Sequence, residues 1–192
     1  MHAAFTLIEL LCVLVVLGVL SALVVGAGQR AHHVASVAEA KTELAALAAG
    51  LEAYKRQHGE YPQTGSAAND PLAAAAAAND GPGILFNALS GLRAPLGGGL
   101  DERTPAYVEL ARLTLQNPYA LPSAAEAGPF ANAFVDPWGR RYLYSSHGSA
   151  SGRTRFVLYS VGRDGVHRSP DASTGAVDLS CPENADNLYA HP

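Results

Sequence analysis

The chain predicts an α+β fold on three observations. An apolar run from Phe5 to Gly28 contains a single acid, Glu9. An apolar stripe at helical spacing carries that run on to His58. Further along, two segments of alternating apolar residues follow the turn sequence Asp136-Pro137-Trp138-Gly139, as in an antiparallel hairpin. The expected architecture is a long N-terminal helix, hydrophobic and then amphipathic, packed on a small antiparallel β-sheet with long loops.

The first element needs an apolar solvent. Leu10 to Gly28 carries no charge, and at about 1.5 Å per helical residue it covers roughly the ~30 Å of a bilayer's hydrocarbon core. It is not a cleavable secretory signal. That would need a basic leader and a small-residue junction after the core, whereas the junction here, Ala3-Ala4, precedes it. Glu9 is the anomaly, because a carboxylate costs about 2.5–3.5 kcal/mol near the centre of an inserted helix, and less toward its end. Something must offset that cost.

In the second half of the helix, Val37, Ala40, Leu44, Leu47, Leu51 and Tyr54 recur at steps of three and four, while Glu39, Lys41, Glu43, Glu52 and Lys55 fall largely elsewhere. Gly59 and Pro62 end the pattern, so one helix is expected from Thr6 to His58. Asp70, with Pro71, caps a predicted short helix through Ala73 to Ala78 that ends before Gly81-Pro82. A further helix is predicted over Ile84 to Leu92, with Ile84, Leu85, Ala88 and Leu89 inward. Gly97-Gly98-Gly99 lacks the Gly-Lys-Ser/Thr of a phosphate loop and is expected to be a turn. Within the weakly patterned stretch Thr104 to Pro129, Tyr107 to Leu115 is compatible with strand or helix. Beyond the Asp136 turn, strands are expected at Arg141 to Ser145 and at Arg153 to Val161, joined by a loop over Gly148 to Gly152.

Composition removes several function classes. With 13 basic against 17 acidic residues and a formal net charge of −4, the chain has no basic footprint for nonspecific nucleic-acid binding. Cys12 lies in the apolar run and Cys181 near the C-terminus, so neither an intrachain disulfide nor a Cys-x-x-Cys metal site is expected. The seven histidines are scattered and form no His-Glu-x-x-His. In Gly148-Ser149-Ala150-Ser151-Gly152, Ala150 stands where a nucleophile elbow needs Ser. No catalytic function is expected.

The string Ala4-Phe5-Thr6-Leu7-Ile8-Glu9-Leu10 resembles the cleavage and methylation signal of type IV pilins and type II secretion pseudopilins. The helix end, Ala49 to Pro62, with its Tyr54, Gly59 and Tyr61-Pro62, resembles that of pseudopilins. Asp136-Pro137-Trp138-Gly139 followed by Tyr159-Ser160-Val161-Gly162-Arg163-Asp164-Gly165 is similar to words that recur in the same order in the major pseudopilin, the protein G type of the general secretion pathway. The resemblance implies a pilin-like fold with a leader (1–4), a transmembrane or filament-core helix (5–28), its amphipathic continuation (29–62) and a globular periplasmic region (63–192). It further implies cleavage between Ala4 and Phe5 by a prepilin peptidase, N-methylation of Phe5, and a role for Glu9 in filament assembly, pairing with the amino terminus of Phe5 in a neighbouring subunit. Ala4 stands where the family usually has Gly. The leader carries no Lys or Arg although Arg30 follows the span, so a translation start upstream of Met1 is expected to supply them.

The tail after Val161 is rich in oxygen ligands, namely Asp164, Asp171, Asp178, Asp186 and Asn187, the donor type that calcium takes six to eight of. By resemblance to major pseudopilins, the carbonyls of Val161 and Val166 with Asp164 would form one half of a calcium site, and Asp186 with Asn187 the other. Tyr189 stands where the family has a terminal Trp, and the loop from Val166 to Ala185 is long. The resemblance implies a structural subunit of a type II secretion pseudopilus. It would be anchored once in the inner membrane with its globular region in the periplasm, working with other copies, other pseudopilins and an inner-membrane assembly platform. A type IV pilus or DNA-uptake pilin is the related alternative, and a membrane-anchored monomeric binding module is the alternative of another class.

Overall fold

The computed structural model describes residues 7–64, 81–91, 105–119, 131–147, 155–171 and 175–190, with the side chains of 23–29 and 147 outside that description. Ala4 and Phe5, the helix expected over 70–78, the glycine turn at 97–99 and the loop at 148–152 lie outside the described residues. The chain divides into two units, Met1–Ala38 and Glu39–Pro192.

Helix α1 spans Leu7–His58. In the first unit its described apolar side chains are exposed at consecutive positions, from Leu7 at 85% through Leu10, Leu14 and Leu17 to Leu20 at 53%. A helix apolar on all sides requires lipid or other helices around it. Among the described residues no helix is long and apolar enough to cross a membrane; positions 23–29, which complete the run in the sequence, contribute no described side chains.

The second unit is built on the expected stripe. Ala40, Leu44, Leu47, Leu51 and Tyr54 are buried, and the last four pack with α2 (Gly81–Leu89), Phe134, Tyr142, Tyr144 and Leu158 in one core. Glu43 departs from the expectation of a polar face, being only 7% exposed. It lies three residues from Ala40 and four from Leu47, at the edge of the buried stripe. The helix ends where the sequence indicates: Gly59 adopts φ +84°, and its N–H bonds the Lys55 carbonyl at 2.7 Å.

After α1, the chain is tied to the sheet by Tyr144 Oη donating to the Pro62 carbonyl at 2.7 Å and by Thr64 N–H donating to Ser146 Oγ at 2.8 Å. Helix α2 begins three residues earlier than expected, at Gly81-Pro82. Proline is tolerated in a first helical turn, where its missing N–H costs nothing, so the pair opens this helix. The region left open as strand or helix contains both, a 3-10 turn at Leu110–Arg112 and strand β1 at Thr114–Leu115.

Strand β1 pairs antiparallel with β2 (Phe134–Val135). The Asp136 turn closes with Gly139 N–H on the Asp136 carbonyl at 2.8 Å. Strands β3 (Leu143–His147) and β4 (Arg155–Ser160) then form the expected hairpin, with Tyr144 opposite Leu158. Their side chains alternate as a sheet requires. Tyr142, Tyr144, Phe156 and Leu158 belong to the main core, whereas Leu143, Val157, Tyr159 and Val161 form a second cluster with Tyr189. A third strand, β5 (Leu188–Tyr189), pairs antiparallel with the end of β4, Tyr159 opposite Tyr189 and Ser160 opposite Leu188.

Candidate functional site

At the N-terminal end, Glu9 sits in the first turn of α1 and is exposed, between Ile8 and Leu10, themselves 70% and 57% exposed. Its carboxylate is thus presented on a helix whose described neighbouring side chains, from Leu7 to Val13, are apolar. Ala4 and Phe5, which the resemblance pairs with it, lie outside the described residues.

At the C-terminal end, β5 brings the two halves of the expected oxygen site together. Pairing of β5 with β4, extended by Ala190 N–H on the Leu158 carbonyl at 2.8 Å and by stacking of Tyr189 on Tyr159 with ring centroids 5.1 Å apart, lays residues 186–187 beside the loop leaving β4. Tyr189 therefore docks the tail as an aromatic. Asp164 N–H donates to Asp186 Oδ2 at 3.2 Å, and Val166 N–H donates to Asp164 Oδ1 at 2.8 Å. Gly162, at φ +67°, permits this approach, since a methyl group there would stand 2.5 Å from the Asp186 carbonyl oxygen and 2.6 Å from its carboxylate. Of the carbonyl-bearing residues, Val161 is buried, whereas Val166 is 48% exposed.

Two acceptors at this junction are buried with no hydrogen-bond donor, Asp186 Oδ1 and Asn187 Oδ1. The Asn187 amide nitrogen donates to Asn184 Oδ1 at 2.9 Å and Tyr189 Oη at 3.1 Å, which fixes its orientation and turns its oxygen away from those partners. Buried acceptors without donors are costly, and a carboxylate and an amide oxygen in that state suit a hard cation. Among the described residues no three His, Cys, Asp or Glu side chains gather as a metal-binding group. The side-chain oxygens that meet here are those of Asp164, Asp186 and Asn187, hard donors of the type calcium takes rather than the nitrogen and sulfur donors typical of zinc.

No sequence pattern points to Asn184. It is buried, accepts Arg168 N–H at 2.8 Å and donates to the Asp178 carbonyl at 2.8 Å, pinning the long loop that separates the two halves. Asp178 itself serves its own turn, where the Ser180 hydroxyl and N–H hold its carboxyl below the usual range. The sequence marks Asp136 as a turn former, and the structure gives it a second task. Its Oδ1 accepts the N–H groups of Trp138 and Arg140 at 3.0 and 2.9 Å, while its Oδ2 accepts the Ser160 hydroxyl at 2.5 Å.

Residues 103–177 match the family described as type II secretion system (T2SS), protein G, and residues 1–25 match the prokaryotic N-terminal methylation motif. Over 170 residues the chain is 30% identical to the type II secretion system core protein G of Pseudomonas aeruginosa, spanning 88% of this chain and 89% of that protein. No solved structure matches the chain. The methylation motif coincides with the helix that carries Glu9, and the protein G match spans the turn, the hairpin and the loop that bears Asp164. The chain belongs to the type II secretion system protein G family, and it is a structural subunit of the pseudopilus.

Proposed function

We propose that the chain is cut between Ala4 and Phe5 by a prepilin peptidase, methylated on Phe5, held once in the inner membrane with its globular part in the periplasm, and then drawn into a helical filament by an assembly platform. In that filament the apolar half of α1 exchanges lipid for the same helix of neighbouring copies and other pseudopilins, and Glu9 pairs with the amino terminus of Phe5 in an adjacent subunit. The observation that carries this reading is the consecutive exposure of apolar side chains from Leu7 to Leu20 with a single acid among them. A carboxylate among apolar helices is retained where a cation meets it, and removing either partner of such a pair is expensive. The role is structural and asks no chemistry of the chain. The match to protein G over 103–177 favours the secretion branch over type IV or DNA-uptake pilins.

Calcium is the ion we assign to the tail, held by the carbonyls of Val161 and Val166, by Asp164, and by Asp186 with Asn187. Support comes from the two donor-less acceptors and from the junction that β5 creates. Bound there, the ion would supply charge compensation for the two carboxylates and tie the C-terminal tail to the sheet.

Mass spectrometry of the mature N-terminus tests the processing step. A chain beginning at N-methylated Phe5 is the expected product. A membrane-inserted protein that still carries its leader ahead of Phe5 would exclude this pathway and favour a simple anchored module.

A further inference from the structure

The turn Asp136-Pro137-Trp138-Gly139 and the loop that follows β4 are far apart in the chain and meet at two points. At the first, the Asp136 carboxylate accepts the Ser160 hydroxyl at 2.5 Å, and the same hydroxyl accepts Gly162 N–H at 3.1 Å. At the second, Arg140, whose backbone is held on both sides by Asp136 (N–H to Oδ1 at 2.9 Å, carbonyl from Asp136 N–H at 2.7 Å), extends its guanidinium to the Gly162 carbonyl at 3.0 Å. The guanidinium also lies flush against Gly165, at φ +74°, where a methyl group would overlap its Nε, Cζ and Nη2. Both peptide groups of Gly162 are therefore fixed from the turn, the N–H through Ser160 and the carbonyl through Arg140. Asp186 packs against Gly162 as well, and Asp164 and Val166 occupy the few residues between the two anchored glycines and just beyond.

We propose that Arg140 is a positioning residue for the calcium loop: its guanidinium holds the 162–165 backbone in the curvature that aims Asp164 and the flanking carbonyls at Asp186. The inference rests on the calcium reading above and deepens it. It also gives the Asp-Pro-Trp-Gly-Arg turn a role in ion binding beyond reversing the chain. Residues that orient metal ligands without touching the metal typically change affinity by about 10- to 100-fold when removed, and Arg140 is placed to act in that way. A planar guanidinium suits the task because it reaches the carbonyl while presenting a flat face to a glycine, which an ammonium cannot do.

The test uses the full-length chain in detergent, stripped with chelator and titrated with calcium chloride by calorimetry, together with melting curves in chelator and in calcium. For Arg140→Met, the expected result is a dissociation constant raised about 10-fold or more, a smaller calcium-induced rise in melting temperature, and a melting temperature in chelator close to the parent's. Arg140→Lys should recover part of the affinity. Gly165→Ala, which displaces the guanidinium without removing it, should weaken binding in the same direction. Calcium affinity of Arg140→Met equal to or tighter than the parent's would overturn the proposal while leaving the calcium site standing, because the guanidinium would then merely oppose the ion. A fall in melting temperature as large in chelator as in calcium would overturn it too, marking Arg140 as a general prop. If the parent chain binds no calcium while Asp186→Asn melts as the parent does, the calcium reading itself fails and this inference fails with it.

Discussion

Tyr142 and Glu43 meet across 99 residues of sequence, the buried phenol donating to Glu43 Oε2 at 2.5 Å. Burial raises the Glu43 carboxyl above its ordinary range, the Tyr142 hydrogen bond pulls it back in part, and the nearby charges of Glu39 and Asp136 raise it further. Tyr142 is pushed up in turn by its own burial and by Glu43. Because the folded state binds the Glu43 proton more tightly than the unfolded chain, this group's penalty is absent below the ordinary carboxylate range and grows as pH rises through the raised value. Glu43→Gln keeps an acceptor for Tyr142 and should flatten that decline, leaving the protein as stable or more stable at pH 7 by denaturant titration. Tyr142→Phe should instead cost about 1–3 kcal/mol, since it leaves a buried carboxylate oxygen without its donor; equal stability would contradict the assignment. The sequence alone placed Glu43 on the polar side because periodicity counts apolar residues, and an acid satisfied by a distant phenol leaves no periodic trace. The sequence marks Asp186 and Asp164 as candidate oxygen ligands by type only. Their meeting depends on Gly162 having no side chain.

Among the elements, those with a repeating pattern were legible. Helix α1 carries many turns of one stripe and a terminal Gly, and the β3–β4 hairpin carries alternation along both strands after an Asp-Pro-x-Gly turn that precedes β3, so local physics specifies both. Strands β1, β2 and β5 are two residues each, too short to show a period, and each is defined by a partner distant in sequence. Helix α2 was expected with its start displaced, because Gly81-Pro82 signals an end as readily as a beginning. Its first residue is fixed by packing: the Tyr144 carbonyl of β3 occupies the space a side chain on Gly81 would need. Gly81→Ala should therefore destabilise the fold by about 1–3 kcal/mol as overpacking against backbone, although alanine is the better helix former. A neutral or stabilising effect in denaturant titration would show that α2 can slide off β3. Gly50 repeats the lesson within α1, since a methyl there would stand 2.7 Å from a methyl of Val108.

Across the whole molecule, the two ends carry different duties. The tail is held by a short strand, an aromatic stack and a cluster of oxygens with donor-less members, so on the calcium reading proposed above its order should depend on the ion. Calcium at a hundred times its dissociation constant adds about 2.7 kcal/mol to the folded state, and chelation should lower the melting temperature of the full-length protein in detergent accordingly. An unchanged melting temperature would remove calcium from the account. At the other end, the exposed apolar turns from Leu7 onward and their one acid make assembly the natural fate of the helix. The most direct measurement compares Glu9→Ala with the parent chain in cells that make pseudopili, scoring both membrane insertion and filament formation. Normal insertion with filaments lost or strongly reduced is the expected outcome, and filaments formed at the parental level by Glu9→Ala would overturn the role of Glu9 in assembly.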